Sequence, residues 1–501
     1  MSTLTSLARA LAAGRGFAQP VCTVRHVHIH ERPLVFVPLA LAGEAVAPLA
    51  AMAGDDPESP RLLVVAEPRD RDQRFAFAAE LASVILPYIE RHTSAEETVA
   101  GGRGRDDRVR FAGAPQVLVP NPDGIAFTRL LGRSTRFRRT EGEYAVPPSV
   151  PLLGRWLTFL AECAEHPGSC LLLAATDALA LHWATGQSPV EDRSLGTIAG
   201  WIDPPPGRTG AQAAADAEDP VRCPPAGPAT DPGFDNEVLE PRIAAVRAAR
   251  AAGDERAWRR ARSALAGALA SQLQPTWELM WRAVALLRRL PPGGHVAARW
   301  DRDKDAFTAH VAHIRDGGPP QPRRDTAVAA ARRLTWLEWV QASYAAQRAL
   351  DDPLVMAEYR MSGEAFAGQV VAAESARVDS SGRKRVLRPH ITVKTEDAVT
   401  VEPGASVTSP ARPKQKAHVV SVAPAGGSTL VTVELSGGMG RGLTPPPGSV
   451  PGIGETVCYA ALSDAYRPPP PFPEPENTPW THGGPPPQYV PTDEDASEAW
   501  S

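Results

Sequence analysis

Near Val386 the spacing of apolar residues changes from every third or fourth position to every second, and this change limits what the chain can fold into. A period near 3.6 lines side chains along one face of a helix, whereas a period of 2 lines them along one face of a strand. After the change, 387–394, 417–422, 429–435 and 455–461 read as strands, parted by turns such as Ala425-Gly426-Gly427 and Pro445-Pro446-Pro447-Gly448. Four or five short strands at this spacing predict a small barrel or sandwich over 381–466.

Before the change the pattern is helical. Over 254–273, Asp254 suits an N-cap, Trp258, Ala261, Leu265 and Leu269 share one face, and Pro275 is expected to stop the run. Trp277, Met280, Trp281, Val284, Leu287 and Leu290 repeat the pattern up to Pro291. The longest helical stretch is 325–350, broken at Asp351-Asp352-Pro353, and a further helix is expected from 354 to about 376. These segments predict a helical bundle over 237–380.

The first third of the chain mixes both kinds of element. The apolar runs 34–41, 61–66 and 115–120 read as buried strands, and helices are expected between and after them, notably over 74–89 and 125–131. Further helices are expected over 152–164 and 170–183. The result is an α/β domain over 33–200, preceded by an N-terminal segment, 1–32, holding a short amphipathic helix. Residues 201–236 are rich in Pro, Gly, Ala and Asp and are expected to form an exposed linker. The expected fold class is a multidomain α/β plus α-helical bundle plus small all-β barrel-like module, with a disordered C-terminal tail over 467–501.

Composition agrees with ordered blocks joined by flexible segments: 43% of the 501 residues are hydrophobic, yet 52 are Pro and 41 are Gly. Pro, Gly or a charge interrupts every apolar run before the roughly 18–20 residues a membrane span needs. Cys22, Cys163, Cys170, Cys223 and Cys458 are odd in number and form no CxxC pair, so neither a disulfide framework nor a zinc ribbon is signalled. A cytoplasmic location is expected.

Three groups of residues could carry chemistry. His26, His28 and His30 alternate and would share one face of a strand, an arrangement that can ligate a metal. HxH pairs occupy the first strand of amidohydrolase barrels, but no barrel-length repeat of strand and helix follows here, so histidines on the solvent face of a strand are the better reading. Glu67, Asp70 and Asp72 follow the 61–66 strand, where open α/β sheets place ligand-binding groups, and could hold a cation for phosphoester hydrolysis. Arg69, Arg71 and Arg74 interleave and could neutralise them instead. His310 and His313 share a helix face, without a supporting motif. The sequence has no GxxxxGK[ST] phosphate loop, no strand-borne GxGxxG and no GxSxG elbow, and no cofactor is expected.

Charge distribution says more. Residues 241–300 hold eleven arginines against three acids, a local net of +8 in a chain whose total is -4. Arg256, Arg259, Arg260 and Arg262 form the centre of this run, and a basic helical face suits a phosphate backbone or an acidic protein surface. A second basic cluster, Arg383, Lys384, Arg385, Arg388 and Lys394, leads into the predicted β module. In the tail, Phe472, Trp480, Tyr489 and Trp500 are isolated aromatics in a Pro-rich, acidic segment, as in linear recognition elements.

The expectation is a non-catalytic accessory or adaptor protein that binds nucleic acid, or a nucleic-acid-processing partner, through the Arg-rich helices and the basic β module. One alternative is a metal-dependent phosphoesterase or nuclease using the N-terminal α/β block. Another is a scaffold that recruits a protein partner through its tail.

Overall fold

A computed structural model describes residues 3–41, 47–101, 104, 106–320, 327–380, 382, 384–440, 442–465, 471 and 490. Arg383 and the tail aromatics Phe472, Trp480, Tyr489 and Trp500 lie outside the described residues. The first helix, α1, spans Thr3–Arg15.

Five strands form the central sheet: β1 (Leu34–Ala40), β2 (Pro48–Gly54), β3 (Arg61–Val64), β4 (Val117–Val119) and β5 (Leu172–Ala174). Their order is β3-β2-β1-β4-β5. The first three make an antiparallel meander, with Val37 opposite Met52 and Ala51 opposite Leu63. The last two add in parallel, Val35 beside Leu118 and Leu118 beside Leu173. All seven residues of β1 are buried, as a strand covered on both faces requires. Leu34, Phe36 and Leu39 there contribute about 1.5–3 kcal/mol each through removal from water.

β2 stands where the sequence pattern suggested a helix. Its sequence, PLAAMAG, has no β-branched residue and no alternation, so it lacks a strand signal of its own. Pairing to β1 on one edge and β3 on the other holds it extended. After the meander come α2 (Arg71–Arg91), α3 (Pro122–Thr135) and α4 (Ser149–Cys163), which pack on the sheet and on one another. The helix expected over 170–183 is instead β5 followed by a short helix, Ala175–Ala180.

The stretch 201–236 is structured over part of its length: Gly210–Ala217 is helical, Ala213 and Ala214 are buried, and Ala40 N–H donates to Pro228 O. Beyond it lie α5 (Glu240–Ala251) and α6 (Glu255–Arg289), the latter running along β1, β2 and β3. Asp254 caps α6 by accepting from the N–H groups of Arg256 and Ala257. Pro275 does not stop this helix. An internal proline costs roughly 3 kcal/mol, but Leu269, Leu273, Trp277, Met280 and Val284 continue one buried stripe across it, and their burial outweighs the lost hydrogen bond. The remaining helices are α7 (Val296–Arg315), α8 (Ala327–Asp351) and α9 (Pro353–Ser362).

α9 ends at Gly363, whose φ of 82° is the left-handed conformation that favours glycine. The chain then enters β6 (Ala365–Glu374), in place of the helix expected to about 376. β6 is joined by β7 (His390–Thr395), β8 (Ser406–Ser409), β9 (Arg412–Ala425), β10 (Ser428–Leu435) and β11 (Thr456–Ala460). Their pairings run β6-β7-β10-β9-β8-β11 and close into a barrel. Phe366, Ile391, Val393, Val419, Val431, Val433 and Tyr459 fill it. A separate small core of Cys22, Ala349, Val355, Met356, Ala365 and Ala460 joins the start of the chain, the α8–α9 junction and the barrel. Among the described residues no helix is long and apolar enough to cross a membrane.

Candidate anion-binding cleft

After β3 the chain turns over the sheet edge, and Asp70 caps α2, its Oδ1 accepting from Gln73 N–H at 2.9 Å. Arg69, Arg71 and Arg74 therefore sit around the N-terminus of a long helix, where the backbone dipole already favours negative charge. The last turn of α3 and the segment after it bring Arg133, Arg136, Arg138 and Arg139 to the same region, and α4 adds Arg155.

These side chains line two adjoining hollows. The smaller, about 270 Å³, is bounded by Arg69, Arg71, Arg74 and Arg138 around Phe75. The larger, about 960 Å³, shares Arg71 and Arg138 with it and adds Arg133, Arg136, Arg139 and Arg155, with Phe137 and Tyr144 among them. Among the described residues, eight arginines thus face one concave surface, and Glu141 and Glu143 are the acids lining it.

Local contacts set the guanidinium groups in place. Arg71 lies 4.8 Å from the ring centroid of Phe75 and 5.4 Å from that of Tyr144, and it donates to Tyr144 O at 2.7 Å and Asp72 at 2.8 Å. Arg138 approaches Phe75 to 5.3 Å and donates to Ser134 O. Arg136 lies over Phe137 at 4.8 Å, and Arg155 donates to Gly318 O at 2.7 Å. Arg136 and the Phe75 ring are buried and Arg71 and Arg138 half-buried, and each cation–π contact contributes at least about 0.5–1 kcal/mol. Burial lowers the pKa of Arg155. The hydroxyls of Ser134 and Thr135 donate to Leu131 O, so these two donors are spent on the backbone. Guanidinium forks suit phosphate oxygens, and a concave positive surface concentrates polyanions.

The acids expected to hold a metal are not brought together as a ligand set. Glu67 turns toward α5, 3.2 Å from Arg250 and 3.6 Å from Arg247. Asp70 serves as the cap, and Asp72 pairs with Arg71 in solvent.

The arginines of 241–300 do not form one open face. Arg282 and Arg289 pair with Asp203, Arg288 donates to the carbonyls of His30 and Glu31, and buried Arg299 donates to His26 O and Gln347. Arg256, Arg259, Arg260 and Arg262 are exposed on the first turns of α6, Arg259 pairing with Glu255 and Arg262 lying 5.4 Å from the Trp258 ring. At the barrel, Lys384, Arg385 and Lys394 are exposed, while Arg388 lies 3.7 Å from Glu434. Glu434 also takes Arg377 and His390, at 2.7 and 3.0 Å.

His26, His28 and His30 lie on an irregular segment rather than a strand; His28 and His30 sit side by side next to Trp300, their ring centroids 6.4 Å apart, whereas His26 stacks on His182. His28 stacks on Trp300 at 4.0 Å, and His30 meets His92 edge-on. His26 is fully buried, and its Nε2 lies 3.6 Å from Asp352 Oδ2. Burial pushes its pKa down to about 3, with Arg348 adding to the effect. His310 stacks on Phe159 at 4.1 Å within the helical layer and serves the core.

The sequence did carry a sign of the cleft: Arg133-Ser134-Thr135-Arg136-Phe137-Arg138-Arg139 has basic residues around an aromatic, and no acid occurs from 124 to 140. Compared with known protein families, curated proteins and solved structures, the chain matches none.

Proposed function

We propose that this chain is a non-catalytic accessory protein that binds single-stranded nucleic acid through the arginine cleft between α2, α3 and α4. The observation that carries the reading is the convergence, among the described residues, of eight arginines on one concave surface lined by two acids. Guanidinium groups there would track the phosphates. Tyr144, 67% exposed within the groove, would offer a ring for a base to stack on. A single strand fits better than a duplex because its bases are open to such stacking.

The exposed arginines at the start of α6 and the basic residues of the barrel would then extend the electrostatic field rather than form the main contact. Metal-dependent phosphoester hydrolysis draws no support from Glu67, Asp70 and Asp72, each of which has another partner. Five free cysteines suit a reducing compartment such as the cytoplasm.

Fluorescence anisotropy of labelled single-stranded DNA and RNA, titrated with the full chain at several salt concentrations, tests the reading. Affinity that falls as salt rises and is lost with Arg136→Ala/Arg139→Ala supports it. Affinity indifferent to both opposes it.

A further inference from the structure

Cys22, His26 and Asp352 meet at the junction between the start of the chain, the α8–α9 break and the barrel. All three are buried, and one ligand atom from each lies within 4.8 Å of the other two. The burial of polar side chains here has no protein explanation in the case of His26, because neither Nδ1 nor Nε2 has a hydrogen-bond partner among the described residues. The 3.6 Å between Nε2 and Asp352 Oδ2 is too long for a hydrogen bond. An orphaned buried polar group of this kind costs about 1–3 kcal/mol.

Neighbours hold the three residues in position without replacing them. Asp352 caps α9 through Leu354 N–H at 2.8 Å, and its Oδ2 accepts from Thr23 N–H at 2.6 Å. This fixes the carboxylate against the segment that carries Cys22 and His26. His182 spends both ring nitrogens elsewhere: Nδ1 bonds to Ala178 O at 2.6 Å, and Nε2 accepts from the backbone N–H of His26 at 2.9 Å. It orients His26 and is not a fourth ligand.

We infer that Cys22, His26 and Asp352 bind a divalent transition metal, with zinc the best match to the donor set. Thiolate, imidazole and carboxylate suit zinc, while calcium and magnesium prefer sites built from oxygen alone. Binding releases the Cys22 thiol proton to solvent, and the thiolate and carboxylate together balance the charge of the ion. The Cys22 thiol, which donates to Leu181 O at 3.3 Å, gives up that bond on ionising, and the nearby Arg348 guanidinium opposes a bare cation but favours a metal-bound thiolate. Three protein ligands leave one position of a tetrahedral ion for water. With its three protein ligands drawn from both segments, the ion would pin the first segment to the α8–α9 junction.

The test uses the purified full chain. Elemental analysis is expected to find about one zinc per chain, and after chelator treatment cobalt(II) should produce a thiolate-to-metal band in the near ultraviolet. Cys22→Ser should lose both signals. Cys458→Ser, at a thiol packed against the same small core, should keep them. Should Cys22→Ser fail to fold, His26→Gln retains the thiol and is expected to weaken cobalt binding at least about tenfold. Absence of both zinc and the cobalt band in the wild type would overturn the inference, as would unchanged cobalt affinity in His26→Gln.

Discussion

Arg71 and Arg138 share the ring of Phe75, their guanidinium carbons 4.8 and 5.3 Å from its centroid. With both guanidinium groups beside one ring, an anion placed between them would be attracted by both. The double variant Arg71→Ala/Arg138→Ala should therefore weaken single-strand binding by roughly tenfold or more at low salt. Thermal stability should fall by about 1.5–3 kcal/mol, the sum of the three cation–π contacts removed.

Tyr144 separates stacking from charge. It is 67% exposed, so Tyr144→Ala should leave thermal stability nearly unchanged. Loss of one stacked base is worth about 1–3 kcal/mol, a drop in affinity of roughly 5- to 150-fold. The salt slope should stay the same, since no cation is removed. Anisotropy at several salt concentrations reads both quantities.

His310 gives a pH dependence. Burial against Phe159 and Trp156 holds its pKa down to about 3, and His313 adds to the shift. The unfolded chain has the ordinary value near 6.5, so between about pH 6.5 and 3 it binds a proton that the native state does not. Stability therefore falls as pH falls through that window, by up to about 1.4 kcal/mol per unit for one such imidazole. Melting followed from pH 7.5 to 4.5 should show a shallower decline in His310→Phe than in the wild type.

His295 has the opposite sign. Its Nδ1 lies 2.6 Å from Asp351 Oδ1, and this hydrogen bond raises its pKa. The stabilisation is complete below the unfolded value near 6.5 and is lost as pH rises through the raised native value. His295→Gln should accordingly be less stable than the wild type at pH 6, with the gap narrowing toward pH 9.

Gly363→Ala tests the joint between helix and barrel. A Cβ there would lie 2.7 Å from Thr400 Cγ2, and φ is already positive. The left-handed conformation alone costs about 1–2 kcal/mol with a side chain. Urea unfolding should show a loss of at least that size.

Legibility in the sequence followed how local each cause was. β10 could be read because Val431 to Leu435 alternate strictly and its inward residues, Val431, Val433 and Leu435, are buried. β6 could not, because AFAGQVVAAE is rich in alanine and fits a helix as well as a strand. The excess of arginine in 241–300 was plain, but its neutralisers, Glu67 and Asp203, lie far away in the chain. Half of the cleft was visible as the basic run around Phe137. The other half was hidden because Asp70 and Asp72 offset Arg69 and Arg71 in any count of charge, one acid serving as a helix cap and the other pairing with Arg71 at its exposed side. Cys22 and His26 meet Asp352 only through the tertiary fold, and no spacing rule reaches across that separation.

The most direct measurement compares two surfaces in one salt titration with a labelled single strand. If the cleft makes about four phosphate contacts, the logarithm of the binding constant should fall against the logarithm of salt concentration with a slope of about -2.8. Arg71→Ala/Arg138→Ala should make that slope shallower by about one to one and a half, whereas Arg259→Glu/Arg260→Glu should leave it nearly as it is. Binding that ignores salt, or that survives loss of the cleft arginines and vanishes with reversal of Arg259 and Arg260, would contradict the assignment of the cleft.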